Sequence, residues 1–175
     1  MFPEHPSPPR IVIAGVGNVS AGIDPFATEL VRALTHVKWP EGVRVADYGL
    51  RQVDLTYTLA EEADVAILVD TVSHGKAPGT MEVVRPDTDD LAHNSDKLTP
   101  RPGLSPASVV RMVRALGGKL RDTLLVECEP SNARSAAKEI ARRVEALVNR
   151  IRAGESAQLF APTTEPHSTG TIAWT

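Results

Sequence analysis

Two aspartates stand where carboxylates can meet an ion: Asp24, followed at once by Pro25, and Asp70, which closes the apolar run Ile67-Leu68-Val69. Side chains of this kind at loop and strand ends can converge on one hard or borderline cation, although two carboxylates alone bind a metal poorly. Each also has a plainer use. Asp24 before proline suits the cap of a helix, where its oxygen accepts from exposed backbone N–H groups, and an aspartate ending a buried strand must find a partner, solvent or a ligand. Of the five histidines, at 5, 36, 74, 93 and 167, His74 and His93 occupy stretches from which an imidazole can join such carboxylates, and a solvated loop histidine is the alternative for both. Cys128 has no base near it in sequence and is expected as a small buried strand residue, not a nucleophile.

These side chains need a scaffold. A chain of 175 residues has the length for one domain with a sizeable core. Its 19 basic and 22 acidic residues leave a formal charge of −3, which offers no electrostatic footing for a nucleic-acid partner. One cysteine excludes an internal disulfide, and no CxxC pair is present, so a reducing compartment, the cytoplasm, is expected. No apolar run approaches the roughly 20 residues of a membrane span, and the proline-rich start lacks the pattern of a signal peptide, so no membrane partner is expected.

Hydrophobic periodicity then orders the elements. Residues 1–9, with four prolines, are expected as a flexible lead-in to a domain spanning 10–154. Ile11-Val12-Ile13-Ala14-Gly15-Val16 is nearly all apolar, the pattern of a parallel strand buried on both faces. Asp24-Pro25 then opens a helix carrying Phe26, Leu30 and Leu34. Further strands are expected at 43–48, at 63–70, at 80–84 beside that one, and at 123–128. Helices are expected at 51–62, 104–116 and 132–153, and residues 155–175 as a disordered tail. The polar stretch 86–102 reads as a surface loop. Strands alternating with helices through short loops imply an α/β fold with a mainly parallel sheet covered on both faces, with ligands beyond the carboxyl ends of its strands.

Familiar nucleotide motifs fail. The loop Gly15-Val16-Gly17-Asn18 lacks the third glycine of a dinucleotide fingerprint, since Ser20 stands there, and no Gly-Lys-Ser/Thr follows any strand.

In register along residues 10–153, the motifs resemble those of the endopeptidases that mature nickel-iron hydrogenase large subunits. Gly15-Val16-Gly17-Asn18 with Gly22-Ile23-Asp24-Pro25-Phe26 is similar to that family's first loop. Asp47-Tyr48-Gly49-Leu50-Arg51 with Asp54-Leu55-Thr56-Tyr57 resembles a segment of one branch. Ile67-Leu68-Val69-Asp70-Thr71-Val72 followed by Ala77-Pro78-Gly79-Thr80 resembles its metal-binding strand and turn, and Val126-Glu127-Cys128-Glu129-Pro130 its late strand.

The resemblance implies a flavodoxin-like three-layer sandwich. It further implies a metal-dependent, aspartic-type endopeptidase that clips a C-terminal extension from a hydrogenase large-subunit precursor once nickel is in place. The nickel would be carried by the precursor, recognised and not permanently bound, with Asp24 and Asp70 at two ligand positions. The family's third ligand is a histidine in a His-Gly-Leu/Met-x-Pro segment, which here reads Pro102-Gly103-Leu104-Ser105-Pro106. Proline offers no lone pair, so His93 is expected as the third ligand, with His74 as the other source. Ile23 also replaces an acidic residue, and Ala27 a glycine. If no third ligand arrives, the expectation becomes a catalytically silent relative that binds the precursor or another assembly factor as a chaperone.

Overall fold

A computed structural model describes residues 7–16, 24–86, 106–133, 135–155 and 171–173. The chain forms β1 (Ile11–Val16), α1 (Pro25–His36), β2 (Val43–Gly49), α2 (Gln52–Glu62), β3 (Val65–Thr71), β4 (Met81–Val84), α3 (Pro106–Ala115), β5 (Asp122–Cys128), α4 (Ala136–Arg152) and β6 (Thr171–Ala173). One sheet runs in the order β2-β1-β3-β5-β4-β6. Its first four strands are parallel, and β4 lies antiparallel to β5 and β6.

Burial follows from alternation along the strands. Ile11, Ile13, Val65, Ile67, Val69, Leu124 and Val126 turn to one face, where they meet Phe26, Leu30 and Leu34 of α1 and Ile140, Val144 and Leu147 of α4. Val12, Ala14, Ala66 and Leu68 turn to the other, against Leu55 and Leu59 of α2 and Val109 and Val113 of α3. The fold is therefore the expected α/β sandwich of three layers, with a mainly parallel sheet in the middle. Each large aliphatic side chain buried this way contributes about 1.5–3 kcal/mol.

Helix ends obey local chemistry. Asp24, in extended backbone, accepts from Phe26 N at 2.9 Å and Pro25 opens the first turn of α1. At the far end of that helix Trp39 Nε1 donates to the Leu34 carbonyl at 2.8 Å. In α2, by contrast, Leu55, Thr56 and Leu59 are buried while Val53 and Tyr57 are exposed, so its apolar stripe is narrower than its composition suggests.

Two expectations need correction. Strand β4 does not lie beside β3: β5 sits between them, pairing with β3 over seven registered positions from Val65↔Asp122 to Thr71↔Cys128. A seven-residue strand brought in by the α3 crossover covers the apolar edge of β3 more fully than four-residue β4, which pairs with the end of β5 instead. The second correction concerns the tail, because Thr171–Ala173 forms a strand against β4. Three residues are too short to show a period, and their partner is remote in sequence. Most of the lead-in and tail, and the polar stretch from residue 87 onward, lie outside the described residues. Among the described residues no helix is long and apolar enough to cross a membrane.

Candidate functional site

The chain leaves β1 toward β2 on one side and later returns to place β3 on the other, so the strand order reverses between β1 and β3. Chains departing there in opposite directions open a crevice at the carboxyl ends of the strands. Asp24, at the head of α1, follows β1, and Asp70 is the next-to-last residue of β3. Both predicted carboxylates therefore belong to this switch point. They approach it from different faces: Asp70 shares the side of Leu68, toward α2 and α3, whereas α1 covers the opposite face.

Asp24 lines a cleft of about 680 Å³ together with Phe26, Glu29, Pro78, Pro130 and Lys138. Three segments distant in sequence meet in it: α1 with its cap, Pro78 of the turn before β4, and the stretch from Pro130 into the first turn of α4. Gly79 makes that meeting possible. Its φ is +82°, and an added Cβ would touch the Ala136 Cβ at 3.4 Å.

Asp70 belongs to a row of acids that the motifs did not reveal. In register, Asp70 of β3 stands beside Glu127 of β5, and Glu127 beside Glu82 of β4, so three carboxylates share one sheet face near the same rim. Side chains from the β3–β4 loop meet two of them. His74 Nε2 lies 3.3 Å from Glu127 Oε2, and Lys76 forms an ion pair with Glu82. The single-strand pattern places Glu127 and Glu82 on this face by parity, but only the pairing register sets them side by side.

Glu129 holds that loop down. Its carboxylate accepts from the backbone N–H groups of His74 at 2.9 Å and Gly75 at 3.2 Å, while its own backbone exchanges bonds with Gly79 and Thr80. The His74 amide bond chiefly, outweighing burial and helped by the Gly75 and Lys76 amides, holds the Glu129 carboxyl below its usual range. Cys128 is fully buried between these two acids in sequence. Burial first, then the charges of Asp70 and Glu127, push its thiol up to about 12, which suits packing and not nucleophilic attack.

At the end of β2, Arg51 stacks over the Tyr48 ring at 5.8 Å and donates to the Asp47 and Tyr48 carbonyls, tying together the Asp47-to-Arg51 segment. Among the described residues no group of three His, Cys, Asp or Glu side chains gathers closely enough to hold a metal. His93, Pro102, Ile23 and the Gly17-Asn18 part of the first loop lie outside the described residues.

A family model described as HycI, hydrogenase maturation protease, matches residues 28–153. The chain belongs to the hydrogenase maturation protease family. Asp70, the Pro-Gly-Thr turn and the Glu127-to-Pro130 segment fall inside the matched stretch, and Asp24 lies just ahead of it. The hydrogenase expression/formation protein HupM of Azotobacter chroococcum is 38% identical over 82 residues, covering 46% of this chain and 39% of that protein. The matched stretch thus spans about two fifths of that relative's length. A putative hydrogenase maturation protease of Methanocaldococcus jannaschii is 27% identical over 153 residues, covering 81% of this chain and 96% of that one. The fold is similar to that of the [NiFe] hydrogenase maturation protease HycI from Thermococcus kodakarensis, with a TM-score of 0.61 at 21% identity over 82% of this chain and 95% of that chain.

Proposed function

We propose that this protein is an endopeptidase that removes a C-terminal extension from the large-subunit precursor of a nickel-iron hydrogenase after nickel insertion. One observation carries the proposal: Asp24, Pro78 and Pro130 line a single cleft at the head of α1, in a chain of the hydrogenase maturation protease family. Asp24 and Asp70 recognise the nickel carried by the precursor, each offering carboxylate oxygens from one side of the crevice. Asp24 fits that role while capping α1, because the cap engages Oδ1 and, among the described residues, leaves Oδ2 for a ligand. His93 supplies the third protein ligand. The metal belongs to the substrate and leaves with it. The proposed setting is the cytoplasm, with the precursor as partner and neither nucleic acid nor membrane.

Such a division of labour gives the protease a check on its substrate. A precursor without nickel presents nothing for two carboxylates to hold, so like charges near the rim disfavour its docking. Bound nickel reverses the sign of that interaction.

Pro102, standing where a histidine is expected, favours a second proposal: a non-cleaving relative that binds the precursor as a chaperone. One experiment separates the two. Nickel-loaded precursor incubated with the protein should lose the mass of its C-terminal peptide, and precursor stripped of nickel by a chelator should not. A stable complex with the precursor at full mass would replace the endopeptidase with the chaperone.

A further inference from the structure

We propose that the outer edge of β4 is a strand-addition site for an extended segment of the polypeptide substrate, and that the chain's own residues 171–173 occupy it in cis. The proposal rests on the endopeptidase reading for the identity of the occupant. Strand β4 spends its inner edge on β5, and its outer edge takes β6 through Glu82↔Ala173, Val83↔Ile172 and Val84↔Thr171. Natural edge strands are usually guarded by prolines, bulges or charges. Met81-Glu82-Val83-Val84 has no proline, and its one charge is engaged by Lys76. Such an edge is a template for another strand.

The cis segment reports what the edge accepts. Thr171-Ile172-Ala173 is uncharged, extended and antiparallel to β4, so it runs alongside β5 toward the carboxyl rim. Its last registered residue stands opposite Glu82, the end of the row formed with Glu127 and Asp70. A substrate segment laid in the same register is therefore threaded in a definite direction. Its residues just beyond the paired strand arrive at the rim, which is the orientation needed to present a bond lying upstream of a C-terminal extension.

The cis strand is also displaceable. Among the described residues three of its positions pair with β4, a short ladder. A segment tethered in cis competes at an effective concentration on the order of mM, so a free segment with more pairing positions outcompetes it.

The test uses a fluorescent synthetic peptide with the sequence of residues 168–175, titrated by anisotropy into the full chain and into full-chain Ile172→Pro. Proline removes a ladder donor and weakens the cis strand. Thr171→Pro covers the other hydrogen-bonding parity, and circular dichroism checks that both variants fold. At least one variant should bind the peptide about tenfold or more tightly than the native chain. Equal affinity in all three proteins, or no binding in any, overturns the proposal. So does a dimer that dissociates in the proline variants, since a second copy would then be the occupant. The readout needs no cleavage: proline-dependent peptide binding alongside uncut nickel-loaded precursor would refute the endopeptidase and leave the docking edge standing.

Discussion

The carboxylate of Glu129, at the end of β5, accepts the backbone N–H of His74 at 2.9 Å, and so pins the β3–β4 loop across fifty-five positions of sequence. Because this bond is made to the charged form, folding lowers the Glu129 pKa from its ordinary value of 4.5. A depressed acid contributes stability above its unfolded pKa and loses that contribution as pH falls through the lower, folded value. The native chain should therefore melt above Glu129→Gln at pH 7, with the difference shrinking below about pH 4.5. Thermal melts of both proteins across the acid range check this, and a gap that widens on acidification would contradict it.

Asp24 has two roles that one substitution can part. Serine caps a helix about as well as aspartate but carries no carboxylate. Asp24→Ser should keep stability within about 0.5 kcal/mol of the native chain while precursor processing falls steeply, whereas Asp24→Ala should also lose about 1 kcal/mol. Denaturant titrations and precursor mass spectra read the two effects separately.

Asp70→Ala should abolish processing with the fold preserved, since Asp70 is a partly exposed residue at a strand end. Wild-type turnover in this variant would remove Asp70 from the site.

Between the two histidines, His93→Ala should slow processing by at least about 10-fold to 100-fold, since losing a ligand costs no less than losing the groups that orient one. His74→Ala should leave most of the rate, because the loop is tied to Glu129 through backbone amides that alanine retains. The reverse ranking would make His74 the third ligand.

Gly118 tests the layer formed by α2 and α3. A Cβ there would come within 2.5 Å of Val113 Cγ1 and 2.8 Å of Ala60 Cα, and the second of these is backbone. Gly118→Ala should cost about 1–3 kcal/mol through overpacking, measured as a lower denaturation midpoint.

Much of this was legible in the chain itself. The run Ile11 to Val16 is wholly buried, as its unbroken apolar character requires, and Asp24-Pro25 opens α1 as capping chemistry demands. The apolar stripe of α4 packs as its spacing indicates. Less could be read of the site. Asp24 and Asp70 were identifiable as rim residues, but the row of Asp70, Glu127 and Glu82 was not, and neither was the hold of Glu129 on the His74 loop.

Local pattern by itself determined the strands and helices between residues 11 and 152, and that Asp24 and Asp70 end at the carboxyl rim of the sheet, because periodicity and capping act over a few neighbouring residues. Only the tertiary structure decided that β5 enters between β3 and β4, that residues 171–173 pair with β4, and that three acids stand in line. Those outcomes depend on strand partner and register, which are chosen by competition for buried area among segments far apart in the chain.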